Sequence, residues 1–196
     1  MRLKLAGASS ALASIRLADA AAALTALLAA ATSLWTAPGS AGFCGAGLAL
    51  VMLAIAVIDH RHLIIPDELT ATAMLLAIVN AAITAPSIVD GVAAAVLRGV
   101  ITMLFFLGLR WLYRQLRGRE GLGLGDVKLA LVAGAWLDWP LIPVAIEIAA
   151  VAALLAYAVW AIGGRSLDAT SRLPFGLFFA PAIWLAWLIG ATLFGA

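Results

Sequence analysis

Seven apolar runs, separated by short turn-forming stretches, leave this chain few ways to fold. They cover approximately 18–36, 41–58, 68–85, 91–113, 126–138, 141–163 and 173–195. A helix that crosses a bilayer needs about 20 mostly apolar residues, and most of these runs approach that length. The breaks carry Pro38-Gly39-Ser40, Pro66-Asp67, Pro86-Ser87, the stretch from Gly118 to Gly125, Trp139-Pro140 and Gly163-Gly164, all of them turn chemistry. Of the 196 residues 65% are hydrophobic and 11% charged, whereas a soluble domain is about half apolar and about a quarter charged. The expected fold is therefore all-α, a polytopic membrane helical bundle of about seven transmembrane segments, because helices satisfy their own backbone in lipid. One membrane-embedded domain is expected over 1–196, with 1–40 as first helix and leader region and 41–196 as the helical core.

Basic residues orient the bundle. With the N-terminus in the cytoplasm, Arg2, Lys4 and Arg16 lie inside, as do Arg61 after the second run, Arg110, Arg114, Arg117, Arg119 and Lys128 after the fourth, and Arg165 and Arg172 after the sixth. Eleven of the 12 basic residues thus agree with one topology, and only Arg98, within the fourth run, falls elsewhere. The first 41 residues loosely resemble a secretory signal, with Ala37 to Ala41 as a small-residue cleavage site. Its removal would leave the second run pointing inward. The fifth run is too short for an ideal span, which implies either extension by the preceding glycines or a start below the interface in a wet, protein-lined cavity.

Two carboxylates then stand out. Asp59 closes the apolar run 46–58, and Asp126 follows Gly121-Leu122-Gly123-Leu124-Gly125 and opens the next. They are 67 positions apart in sequence, yet this topology puts both at the cytoplasmic edge. Carboxylates at that depth lose hydration and serve a proton, an ion or a reaction. Asp126 also has a plain reading as a helix N-cap. Asp59 has none, since a negative charge at a helix C-terminus opposes the helix dipole. Asp67, after Pro66, reads as the N-cap of the third helix, with Glu68 favouring the same end. Asp19 reads as a dipole partner at the start of the first helix, and Lys128 as facing lipid headgroups or solvent on a side away from Asp126. Arg98 and Glu147 both fall inside apolar runs and are expected to pair, because an isolated charge there is costly. His60 and His62 invite a metal, but interfacial solvation accounts for them. Trp111, Trp136, Trp139 and Trp184 read as interfacial or packing residues. The single Cys44 allows no intramolecular disulfide and no cysteine-cluster zinc site.

Asp59, Ile65-Pro66-Asp67, the Gly-x-Gly-Asp at 123–126 and Leu173-Pro174-Phe175-Gly176, taken in order, resemble the type IV prepilin leader peptidases. These are intramembrane aspartic proteases of the Gly-x-Gly-Asp type. The resemblance covers roughly 41–195. It implies that Asp59 and Asp126 are the catalytic pair. It implies that Gly123, Gly125, Pro66, Asp67, Pro174, Phe175 and Gly176 bind substrate or shape the site. Leu177 stands where many relatives have a proline. Many full-length relatives carry a cytoplasmic domain with two cysteine pairs, linked to N-methylation of the mature pilin. Neither occurs in this sequence, so it resembles the short, peptidase-only members, and no methyltransferase activity is expected.

Peptide hydrolysis by two carboxyls needs one ionised, to activate water, and one protonated, to hydrogen-bond the carbonyl oxygen. Held close, the two share one proton, and the proton belongs to the pair. The implied partner is a prepilin or prepseudopilin, cut between a short basic leader and an apolar helix at the bacterial cytoplasmic (inner) membrane. Membrane lipids are the other expected partner, with the basic 110–119 region against anionic headgroups. No metal, organic cofactor or nucleic acid is called for. The alternatives are a small proton-coupled transporter using Asp59, Asp126 and Glu147, which predicts charges spread across membrane depth and an inverted repeat, and a scaffold without chemistry.

Overall fold

The computed structural model describes residues 2–37, 39–119, 121–163 and 174–194, with side chains described within residues 19–193. Seven helices follow in order: α1 Arg2–Thr36, α2 Ser40–His62, α3 Asp67–Thr84, α4 Ile88–Arg117, α5 Leu124–Trp136, α6 Leu141–Ile162 and α7 Phe175–Phe194. The expected runs and the observed helices agree to within a few residues, except for the first. There the helix begins 16 positions earlier, at Arg2 rather than at 18, because the alanine-rich segment before the apolar run is itself helix-favouring. Asp19 consequently lies within a helix rather than at its start. It pairs instead with Arg61 of α2. Gly164, Arg165, Arg172 and Leu173 lie outside the described residues, as do Pro38 and the side chains of Arg2, Lys4 and Arg16.

Six of the helices contain segments long and apolar enough to cross a membrane, so the chain is a multi-pass membrane protein. The expectation of seven crossings needs correction at α5. With 13 residues it is about 20 Å long, against about 30 Å of hydrocarbon. Nine of those residues are buried, so α5 is a core element enclosed by longer helices. Its far end is closed by α4: Arg98 Nε donates to the carbonyl of Gly134 at 3.3 Å, and Arg98 Nη1 lies 3.3 Å from Asp138 Oδ1. That carbonyl has no donor from the following turn of helix, and backbone that stops at membrane depth must be satisfied by protein or water. Arg98 therefore does not pair with Glu147 as expected. Glu147 is exposed on α6, which packs mainly on α7.

The core lies where α2, α5 and α7 meet. Leu48, Met52 and Ile55 of α2, Leu129 and Val132 of α5, and Phe179 and Ile183 of α7 are fully buried. Leu104, Phe105, Leu154 and Leu155 face outward, as lipid-facing residues do. Lipid is as apolar as leucine, so close fit rather than removal from water holds the helices together. Gly134 illustrates this: a Cβ there would stand 2.5 Å from the Arg98 carbonyl oxygen of α4. Trp136 ties α5 to α3 through its Nε1, which donates to the Ala73 carbonyl at 2.9 Å. Trp184 Nε1 donates to Ser33 Oγ at 2.9 Å, while Trp111 and Trp139 are exposed. Pro181 sits inside α7.

Candidate active site

Asp59 lies in the last turn of α2. The helix is stopped by Leu63 in the left-handed region (φ 55, ψ 34), whose N–H donates to the Asp59 carbonyl at 2.9 Å. A branched residue in that region costs about 1–2 kcal/mol, and Leu63 is the one non-glycine with positive φ among the described residues. The reversal turns Ile65 inward, where it is buried. Pro66 then caps α3, and Asp67 is the first helical residue rather than the N-cap expected of it. The Pro66 carbonyl accepts from both the N–H and the hydroxyl of Thr70.

Ile65 is the piece around which the separate motifs assemble. A Cβ on Gly125 would lie 2.8 Å from Ile65 Cδ1. A Cβ on Gly176 would lie 2.9 Å from that same atom and 2.8 Å from Asp59 Oδ2. The two glycines are small because an isoleucine and a carboxylate already occupy the space. In this way the α2–α3 turn, the start of α5 and the start of α7 converge at one end of the bundle.

Both carboxylates are buried there, Asp59 at 5% and Asp126 at 8% exposure. Leu177 N–H donates to Asp59 Oδ2 at 2.9 Å. Asp126 is the third residue of α5, not its N-cap, and its Oδ2 accepts from the Gly123 N–H at 3.3 Å. The charge on Asp59 acts on Asp126. Among the described residues neither aspartate forms an ion pair; each is held by a backbone N–H. Phe175 stacks on Phe179 with ring centroids 5.4 Å apart, and Phe179 on Phe106 at 5.7 Å. Pro174 leads into α7 and its carbonyl accepts from the Leu177 N–H at 3.2 Å. The motif positions named from sequence therefore sit at this end; Leu173 lies outside the described residues.

Lys128 is partly exposed, and nothing in the sequence pointed to its partner: its Nζ pairs with Asp67 Oδ1, joining α5 to α3. Arg110 of α4 donates to the Leu122 carbonyl and so ties down the glycine-rich stretch before Asp126. Three features had escaped the sequence: the wedge at Ile65, the backbone donor at Leu177 and the Lys128–Asp67 pair. The first had a signal in the spaced glycines, which imply a neighbour that needs the room. The other two depend on helix rotation. His60 and His62 are exposed, and no group of three histidines, cysteines or carboxylates able to hold a metal ion occurs among the described residues.

Helices that enclose two buried carboxylates, brought from different segments to one end of a multi-pass bundle, define a membrane protein with a paired-aspartate site. More particularly, this chain belongs to the type IV leader peptidase family, whose profile matches residues 46–159 and so includes both aspartates. It is 37% identical over 144 residues to a prepilin leader peptidase/N-methyltransferase of Burkholderia pseudomallei, covering 73% of this chain and 45% of that one. A protein of the same description from Aeromonas hydrophila is 31% identical over 180 residues, 87% of this chain and 57% of the other. One from Pectobacterium carotovorum subsp. carotovorum is 34% identical over 148 residues, 75% and 51%. The chain spans about half the length of these curated relatives. No solved structure matches it.

Proposed function

We propose that the chain is a membrane-embedded aspartic endopeptidase that removes the short basic leader from prepilin-like precursors, at the cytoplasmic face of the inner membrane. Asp59 and Asp126 are the catalytic pair. The observation that carries this reading is the burial of two carboxylates at the end of the bundle where Gly125 and Gly176 pack on Ile65, each with a backbone donor and without an ion-pairing cation among the described residues.

With one proton shared between them, the ionised carboxylate takes a proton from water as the water oxygen bonds to the scissile carbonyl carbon. The protonated carboxyl hydrogen-bonds the carbonyl oxygen as its charge develops. Collapse of the tetrahedral species breaks the C–N bond, the amine leaves with a proton from the pair, and the leader departs as an acid. The Leu177 and Gly123 N–H groups each occupy one carboxylate oxygen and fix how the remaining oxygens are presented. A site at the cytoplasmic edge can reach the junction between a basic leader and the apolar helix behind it. Gly123, Gly125 and Gly176 shape the site, with Pro66, Pro174 and Phe175 bracing its walls.

The test is co-expression with a tagged prepilin, following leader removal by gel shift. Cleavage by the parent chain, lost in both Asp59→Asn and Asp126→Asn, is expected. Cleavage retained in both variants would end the assignment.

A further inference from the structure

The ion pair between Lys128 and Asp67 joins the two segments that carry the aspartates. Asp67 lies eight positions after Asp59, across the Leu63–Pro66 reversal, and Lys128 lies two positions after Asp126. Lys128 Nζ meets Asp67 Oδ1 across the gap between α5 and α3. Two residues along a helix is a rotation of about 200°. Lys128 therefore grips α5 from the side opposite the one on which Asp126 is presented. Gly125, which packs on Ile65, and Lys128 are three residues apart and so lie about 60° from each other around the helix. Together the two contacts hold one flank of the first turn of α5, and a rotation that broke them would swing Asp126 relative to Asp59.

The pair has little else to do. Its side chains are 43% and 77% exposed, and exposed ion pairs add little to global stability. Gly121 and Gly123 precede α5 and Gly125 lies in its first turn, so this entry offers small resistance to movement of its own. Arg110 anchors that stretch to α4 by the Leu122 carbonyl, ahead of Asp126, and the contacts of Gly134 and Trp136 hold the far end of α5, so among the described residues Lys128 is the polar side-chain anchor next to Asp126 in the first turn.

We propose that Lys128 and Asp67 are positioning residues that set the separation of Asp59 and Asp126 by locking the rotation of α5. This rests on the peptidase reading for its catalytic consequence, but the positioning itself can be measured without catalysis. In the full chain carrying Cys44→Ala, thiols are placed by Asp59→Cys and Asp126→Cys and joined with a short bismaleimide. Adding Lys128→Met or Asp67→Asn is expected to remove most of the cross-linked product, and the swapped pair Lys128→Asp with Asp67→Lys to restore it. In the chain with both aspartates intact, each single change is expected to lower kcat about 10- to 100-fold with KM within about threefold, the penalty of a small misplacement of reacting groups. The double variant Lys128→Met/Asp67→Asn is expected to be no worse than either single one. Lys128→Arg is expected to keep most of the rate.

Unchanged cross-linking in Lys128→Met would overturn the inference whatever happened to cleavage. So would a raised KM at constant kcat, which would make the pair a substrate contact, or rate losses that multiply in the double variant. Should the parent cleave no precursor while cross-linking still falls on Lys128→Met, the peptidase reading would fail and the positioning would stand. The swap guards against misfolding: its restored cross-linking requires a folded chain.

Discussion

The two ends of α5 hold their charges in opposite ways. At the far end Arg98 is spent: it closes the Gly134 carbonyl and pairs with Asp138, beside a cavity of about 450 Å³ that Asn80, Trp136 and Trp187 also line. At the near end Asp126 and, across from it, Asp59 are more deeply enclosed, yet among the described residues they are met by backbone N–H groups and by no ion-pairing cation. Charge at membrane depth is costly wherever it occurs. The far end answers that cost with a partner, which makes a fixed structure. The near end leaves it unanswered, which on the proposed reading keeps two carboxyls available for proton transfer. Among the described residues, a short core helix thus has a paired charge at one terminus and a carboxylate without a cation at the other.

That contrast is tested most sharply at the aspartates. Asp59→Asn or Asp126→Asn should lower cleavage of a prepilin by about 100- to 10,000-fold, the span of a lost general acid or base. Neither should lower the thermal unfolding midpoint of the detergent-solubilised chain. Comparable loss of stability would show that these residues are structural after all. Next in size, Gly125→Ala and Gly176→Ala should each cost about 10- to 100-fold in kcat, because the added methyl displaces Ile65 in both cases and meets Asp59 in the second. An effect confined to stability would remove Ile65 from its place at the centre of the site.

The far end should show the reverse pattern. Arg98→Met is expected to destabilise the chain by about 1–3 kcal/mol, the cost of stranding a buried acceptor, with kcat of the folded fraction unchanged. Smallest of all, Asp138→Asn should cost about 0.2–1 kcal/mol, since that carboxylate is exposed. In thermal melts Arg98 and Asp138 should couple in a double-mutant cycle, and Arg98 and Glu147 should not. Coupling of the second pair would restore the partnership expected from sequence and undo the contrast.

The helices were legible because apolar runs and turn residues mark them directly, and the shortness of α5 was visible as a run of too few residues. The site was legible where its residue types are costly: Asp59 and Asp126 stand out against an apolar background whatever the packing. Partners were not legible. Arg98 and Glu147 both fall inside apolar runs, so the cost of an isolated charge at such depth suggested a pair. Depth says nothing about rotation, and α6 turns Glu147 outward while α4 turns Arg98 to the end of α5. The partner of Lys128 was hidden for the same reason. Asp67 was misplaced by one residue because proline can itself precede the first helical turn. The donor at Leu177 could not be seen in side chains, since it belongs to the backbone.

One more property of α7 follows from Pro181. A proline has no N–H to offer the carbonyl four residues earlier, and here that carbonyl belongs to Leu177, the residue whose own N–H grips Asp59. The opening turn of α7 is thus bound less tightly to the rest of its helix than an unbroken helix would allow. The residue that holds Asp59 through its N–H therefore sits beside the missing rung in the ladder of α7, with Phe179 and Ile183 packed in the core on either side of the proline.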